Sequence, residues 1–465
     1  MVCGAKEGID MAPQSRVSRR RVLKSAGAAA VGTGAAALLG SPIAAQGQAP
    51  AILTNAQGGR RFRALVKYTN QLPEVVELTA RPLQGRQIVV RTQAAQTCYS
   101  SVDQVLISGT PPPPDATIVG HGGVGIVEAV GPQAYHVQVG DKVIVNFHTS
   151  CGSCFNCLWM RSDKCLSRGA AIAVPVANLG NIPVYPGNNG MTELMIVHEE
   201  QAVPLFTDIS PVEIAMLHCV GNCGIGMTMT NCPVEAGSDV VIFGAGPVGL
   251  SSVQGARIKG ASQIIVVEPV PYRRDLARNL GATAVVDPND FKERQRIVSP
   301  AGNITFRDAL VDRLREMTKK KTDRLFAGGG TIGPDHIIEA VGGDRLTPKT
   351  PQGPDPTGVT VLQQCWDLCS QIGTIATCSI GQPAAAMVQI PAAQWADGAK
   401  HHWPGTAGGT NPRRDVPRYV RMMETGQLNM KVLASKTYPL SQARQAYQEA
   451  ADRTVVATIV TPTST

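Results

Sequence analysis

The chain has 465 residues, 43% of them hydrophobic and 17% charged, which supplies core enough for two or three domains and excludes an intrinsically disordered protein. Its formal net charge of +8 looks basic, but half of it belongs to residues 1–45, with six basic and two acidic groups, so the remainder indicates no nucleic-acid partner. Beyond the N-terminus no apolar run is long enough to span a bilayer.

Residues 1–45 read as a targeting segment. Ser18-Arg19-Arg20-Arg21-Val22-Leu23-Lys24 precedes an apolar, alanine- and glycine-rich stretch, Ser25 to Gly40, and Ala44-Ala45 offers a cleavage site. This resembles the bacterial twin-arginine export signal, with Val22 where that pattern usually has phenylalanine. The resemblance implies a periplasmic or extracellular protein, folded before export and without a stable membrane span once the signal is removed. The alternatives are a chance basic run before a membrane anchor, or a cytoplasmic protein with an uncleaved leader.

Residues 46–60 read as a polar linker. From there to residue 215 short strand-like runs alternate with turns: Ala64–Tyr68, Val75–Leu78, Gln87–Arg91 and Lys142–Val145. Within this β-rich region Cys151, Cys154, Cys157 and Cys165 form C-x2-C-x2-C-x7-C. Four thiolates so close in sequence can close a tetrahedron around zinc with no open position, hence a structural site; the alternative is two disulfides.

After residue 238 the pattern changes to strands alternating with helices, which marks a second domain. Val240–Phe243 suits a buried parallel strand and breaks at Gly244-Ala245-Gly246-Pro247-Val248-Gly249, a G-x-G-x-x-G that opens a helix. Gly244 allows the tight turn, Gly246 lets a pyrophosphate approach the backbone, and Gly249 lets the helix pack against the sheet. A second apolar run, Ile264–Val267, ends in Glu268, placed to accept hydrogen bonds from the ribose hydroxyls of NAD and to repel the 2′-phosphate of NADP. Later strands are read at Gly281–Asp287, His336–Val341 and Gly373–Gly381, with a helix at Leu362–Gln371. Residues 288–335 and 344–358 read as surface loops.

The order of a β-rich domain, a four-cysteine loop and a dinucleotide fold resembles the zinc-dependent alcohol dehydrogenases of the medium-chain dehydrogenase/reductase family, from about Arg63 to Val460. The resemblance implies an α/β protein with a GroES-like catalytic domain (61–215), a Rossmann domain (216–408) and a C-terminal return to the first domain (409–465). It implies two zinc ions, the second held by Cys98, His121 and Cys219, with an open position that polarises an alcohol or aldehyde oxygen beside NAD. Ser100 matches the hydroxyl that begins the family's proton relay, and Asp103 occupies the place of the relay histidine. Arg273 and Arg453 match basic residues that contact the adenosine ribose and the pyrophosphate.

The sequence departs from the family beside the metal. Gly122 stands where the family has glutamate, and Ser101 where it usually has the aspartate that supports the ligand histidine. Those departures leave open a rival reading, an exported, non-catalytic zinc- and nucleotide-binding descendant. Cys223, Cys365 and Cys369 read as core thiols. A homodimer or homotetramer is the oligomeric state the resemblance implies. An exported protein that uses NAD implies a cofactor captured before export and retained through turnover.

Overall fold

The computed structural model describes residues 57–462, apart from 110–115, 169–172, 188, 292–293, 299–303, 321–332, 347, 349–354 and 379–385. The expected signal segment and the linker as far as residue 56 lie outside the described residues. The last residues read as linker already belong to the fold. Gly59 N–H donates to the Ala80 carbonyl, Ala80 N–H to the Arg60 carbonyl, and Arg60 pairs with Glu128.

The β-rich half runs β1 (Arg61–Lys67), β2 (Glu74–Ala80), β3 (Gln87–Gln96), β4 (Ala116–Ile118), β5 (Gly123–Val130), β6 (Lys142–Val145), β7 (Ala177–Leu179), β8 (Ile182–Tyr185), β9 (Leu194–His198) and β10 (Ala202–Pro204). Strands β1, β2, β4, β7 and β8 close a small barrel around Phe62, Val66, Leu78 and Ile118. Alternation explains the closure: along β1, Phe62, Ala64 and Val66 turn into that core. The other strands build a second sheet on β3, which pairs with both β5 and β9.

The second half is a six-stranded parallel sheet: β11 (Asp239–Phe243), β12 (Gln263–Val267), β13 (Ala284–Val286), then β16 (His336–Glu339), β17 (Thr374–Thr377) and β18 (His401–Pro404). Between β13 and β16 lies a separate hairpin of β14 (Arg294–Val298) and β15 (Ile304–Asp308). The sheet order is β13-β12-β11-β16-β17-β18, so the chain moves outward from β11 in one direction and then in the other. This reversal opens a crevice at the carboxyl end of β11, the place where such sheets bind nucleotides. Strands β11 and β12 are apolar and almost wholly buried, as expected for strands covered on both faces.

Residues 288–335 are not simply a surface loop. They contain the β14/β15 hairpin and the helix Ala309–Met317, capped by Asp308, whose Leu310, Val311 and Leu314 are buried against β11, β12 and β16. Their spacing at i, i+1 and i+4 puts them on one helical face. The C-terminal part of the chain runs back to the first sheet. Strand β19 (Ala434–Tyr438) pairs with β20 (Ala457–Val460), and β20 pairs with β3 of the first sheet. No helix among the described residues is long and apolar enough to cross a membrane.

A helical connector, Pro211–Asn231, joins the two halves and is the centre of the largest core cluster. Ser210 caps its start by accepting from Glu213 N–H, with Pro211 at the first helical position. It carries π-type turns at Leu217–Gly221 and Met227–Asn231 around an α turn at Asn222–Gly226. Glycines let it pack tightly on the helix Pro247–Ile258: a Cβ at Gly224 would lie 2.2 Å from the Val248 carbonyl oxygen, and one at Gly255 2.1 Å from Thr228 Oγ1.

Candidate active site and metal centres

Three elements bring Cys98, His121 and Cys219 together. Cys98 follows β3 in an extended conformation just before the turn Tyr99–Ser101. His121 sits two residues before β5, and Cys219 lies in the first π-type turn of the connector. Their donor atoms all fall within 4.8 Å of one another. The Cys98 and Cys219 sulfurs are 4.0 Å apart, and Cys219 Sγ is 3.8 Å from His121 Nε2. Two zinc–sulfur bonds of about 2.3 Å at the tetrahedral angle would separate the sulfurs by about 3.8 Å, so the trio fits zinc without rearrangement. The Cys219 thiol beside it holds Cys98 well below the ordinary thiol range, which makes Cys98 the first of the pair to become a thiolate.

Ser100 Oγ is 3.2 Å from Cys98 Sγ and 3.2 Å from His121 Nε2, next to the atoms that would bind the metal. Asp103, expected to carry a proton onward from Ser100, is engaged elsewhere. Its Oδ2 accepts from Arg345 Nη1 at 2.6 Å, and Arg345 N–H donates to Tyr99 Oη at 3.3 Å. The sequence offered no sign of this, since Arg345 belongs to a segment without a motif.

The partner of His121 also went unrecognised in the sequence. His121 Nδ1 lies 3.3 Å from Nε2 of His218, whose Nδ1 lies 2.6 Å from the Ala215 carbonyl oxygen. Burial, and then the neighbouring His121, push His218 down to about 3, so its ring is neutral. Cys223 is buried in the largest core cluster, as expected for a core thiol, with Cys219 in the same cluster and Cys378 packed against it. Cys365 and Cys369 are buried beneath the parallel sheet as expected.

The four-cysteine loop forms the second cluster. Cys151, Cys154, Cys157 and Cys165 place their sulfurs within 4.8 Å of one another, with Cys151 and Cys157 3.9 Å apart. Two disulfides would instead draw two pairs to about 2.05 Å, and every cysteine among the described residues is a free thiol. Although burial opposes it, N–H groups of Ser153 and Cys154 pull Cys151 down to about 6, toward the thiolate that a metal needs.

From Cys98 a cavity of about 540 Å³ runs past Gly244, Gly246, Pro247 and Val248 to Glu268, Arg273 and Arg453. Gly244 has φ +92°, and a Cβ on Gly249 would sit 1.9 Å from the Gly244 carbonyl oxygen, so neither position tolerates another residue. A Cβ on Gly246 meets nothing within 4 Å: the backbone there faces the open cavity. The helix Pro247–Ile258 starts at that point with no side-chain cap, leaving N–H groups for an anion. The buried Glu268 carboxylate accepts from Ala245 N–H at 2.6 Å and Val270 N–H at 2.9 Å, so it is locked to the glycine turn.

Arg273 is turned onto the C-terminal return, donating to Tyr272 Oη and the Val455 carbonyl. Arg453, with φ +60°, donates to the Pro348 carbonyl. Phe291, Asp308, Asp344 and Asp355 line the same cavity, so both segments read as loops border the cofactor end.

Residues 84–207 match the alcohol dehydrogenase GroES-like domain, and residues 247–352 match the zinc-binding dehydrogenase domain. Both are models of the zinc-type alcohol dehydrogenase family, and they support a zinc-dependent alcohol dehydrogenase-like oxidoreductase. The chain is 34% identical over 207 residues to a probable alcohol dehydrogenase of Pseudomonas, an alignment that spans 42% of this chain and 65% of that protein's length. It is 26% identical over 388 residues to putative alcohol dehydrogenase D of Mycobacterium tuberculosis, covering 82% of this chain and 93% of that one. Benzyl alcohol dehydrogenase of Acinetobacter calcoaceticus shares the fold, with a TM-score of 0.69 at 23% identity over 86% of this chain and 99% of that one.

The four clustered sulfurs lead to an expectation of one structural zinc in the four-cysteine loop. Cys154→Ser is expected to lower the melting temperature and remove one equivalent of zinc together. Unchanged melting and unchanged zinc would show that the loop holds no metal.

Proposed function

We propose that this protein is an NAD-dependent alcohol dehydrogenase that moves hydride between an alcohol and its aldehyde or ketone. The observation that carries this reading is that one cavity is lined both by Cys98, whose sulfur clusters with the donor atoms of His121 and Cys219, and by Glu268 with the glycine turn. With both groups bound, zinc supplies a Lewis acid at the Cys98 cluster and NAD supplies the hydride acceptor. Ser100, with its hydroxyl beside the ligand atoms, is the residue placed to accept a hydrogen bond from the substrate hydroxyl. Glu268 holds the adenosine ribose, and with Asp308 and Asp355 it makes the cofactor end acidic and hostile to a 2′-phosphate.

The arginine pattern at residues 19–21 supports export, and NAD is scarce outside the cytoplasm. A retained cofactor, loaded before export, reconciles the two. Supporting retention, Arg345 ties its segment to Asp103 on one side of the cavity, and Arg453 ties the same segment to the C-terminal return. A homodimer is the assembly we favour. Strand β18 ends the parallel sheet with all four residues exposed, Trp403 among them, and a second copy would cover that edge.

His121→Ala is expected to abolish alcohol oxidation while one zinc per chain remains. Full activity in that variant would refute the site, and a wild type without activity toward any alcohol would favour the non-catalytic rival. For the cofactor, Glu268→Ser is expected to shift the NAD/NADP preference toward NADP by about tenfold or more, a differential of about 1.4 kcal/mol. An unmodified protein that already prefers NADP would contradict the role given to Glu268. Protein from the exported fraction, gel-filtered without nucleotide, is expected to develop a reduced-nicotinamide absorbance band on adding alcohol. Nucleotide-free protein that works only with added NAD would argue against retention and for a cytoplasmic enzyme with exchangeable cofactor.

A further inference from the structure

The ligand histidine of this chain lacks the carboxylate support that its position normally implies. Neither Gly122 nor Ser101 can supply a carboxylate. An imidazole that binds a metal through Nε2 must carry its proton on Nδ1, and some acceptor must hold that proton and fix the ring plane.

The acceptor in this structure is another imidazole. The Ala215 carbonyl can only accept, so the 2.6 Å contact requires His218 Nδ1 to be the donor. With Nδ1 turned to that carbonyl, the other ring nitrogen of His218, Nε2, faces His121 Nδ1 at 3.3 Å. A His121 that donates from Nδ1 presents its Nε2 to the ligand cluster, beside Cys219 Sγ and Ser100 Oγ. The protons run in one direction, from His121 through His218 to a backbone carbonyl. His218 is fully buried, out of reach of bulk solvent.

The missing side chain at 122 and the presence of His218 are one feature. Gly122 has φ +120°, and a Cβ there would lie 2.8 Å from His218 Cδ2 and 2.3 Å from the Val145 carbonyl oxygen. The ring of His218 occupies the space that a side chain at 122 would enter. The π-type turn at Leu217–Gly221 makes this possible by bringing consecutive residues, His218 and Cys219, to the same centre. Such turns often serve to re-aim side chains at functional sites.

We propose that His218 is the positioning residue of the Cys98/His121/Cys219 zinc site, fixing the tautomer and orientation of His121 in place of a carboxylate. The inference rests on the zinc-site reading above. A neutral acceptor also adds no negative charge behind the ligand. With two thiolates and a neutral imidazole the site is electrically balanced against a divalent cation, and the metal keeps more of its electrophilicity than a carboxylate-backed ligand would leave it.

Two substitutions separate positioning from mere packing. Asparagine at 218 places its amide near the Nδ1 position, where it retains the bond to Ala215 but offers His121 nothing. Glutamine places its carbonyl oxygen near the Nε2 position and keeps an acceptor for His121. The measurement is zinc affinity by competition with a chromophoric chelator, using the four-cysteine zinc as the internal reference, together with the visible spectrum of the cobalt-substituted protein.

The wild type is expected to bind two zinc ions. In His218→Asn one site weakens about ten- to a hundredfold with a changed cobalt spectrum, while the other is untouched. In His218→Gln affinity and spectrum stay close to wild type. Wild-type affinity in His218→Asn, or equal loss in both variants, would overturn the positioning role. A wild type that binds a single zinc would instead overturn the site reading, and this inference with it.

Discussion

The structure depends most on one buried constraint, the helical connector Pro211–Asn231 wedged between the two halves of the molecule. It supplies Ile214, Leu217, Val220, Ile225 and Met227 to the largest core cluster, so a shift in it is resisted by close packing on every side. Its glycines bring it within backbone contact of the helix that begins at Pro247, and its first π-type turn presents His218 and Cys219 to His121. Cys219, His218 and the helix Pro247–Ile258 are thereby packed on one element. A cleft between two domains usually allows its walls to move independently, whereas here one wall carries parts of both sites.

Electrostatics at the zinc end follow from that packing. Two thiols 4.0 Å apart cannot both ionise readily without a cation, and the strong downward shift at Cys98 comes first from its neighbour Cys219. A divalent ion relieves the conflict, which is why the trio suits zinc better than any catalytic role as free thiols. At the other end, Glu268 is held by two backbone N–H groups and stays ordered before any nucleotide arrives. Between these ends Arg345 and Asp103 link the cofactor-side segment to the catalytic half. Asp103 thus anchors that segment through its ion pair with Arg345.

Much of this was legible in the sequence, for physical reasons. The G-x-G-x-x-G is readable because Gly244 and Gly249 allow no substitute, and the four-cysteine loop because ligands close in sequence must be close in space. Strands β11 and β12 declared themselves by continuous apolar runs. The role of His218 was not legible, because its meaning depends on a π-type turn and on the room left by Gly122, neither of which has a periodic signature. The pairing of Asp103 with Arg345 joins residues 242 positions apart and leaves no local pattern. The segment 288–335 was misread because its helix is short and flanked by polar, turn-rich sequence. Only the i, i+1, i+4 spacing of Leu310, Val311 and Leu314 hinted that it packs on the sheet.

The most direct test of the account is a crystal structure of the purified protein with anomalous diffraction data collected on both sides of the zinc absorption edge. Two anomalous peaks are predicted per chain, one among Cys151, Cys154, Cys157 and Cys165, the other among Cys98, His121 and Cys219. A single peak confined to the four-cysteine loop, from protein purified without chelators, would contradict the catalytic zinc and the chemistry built on it.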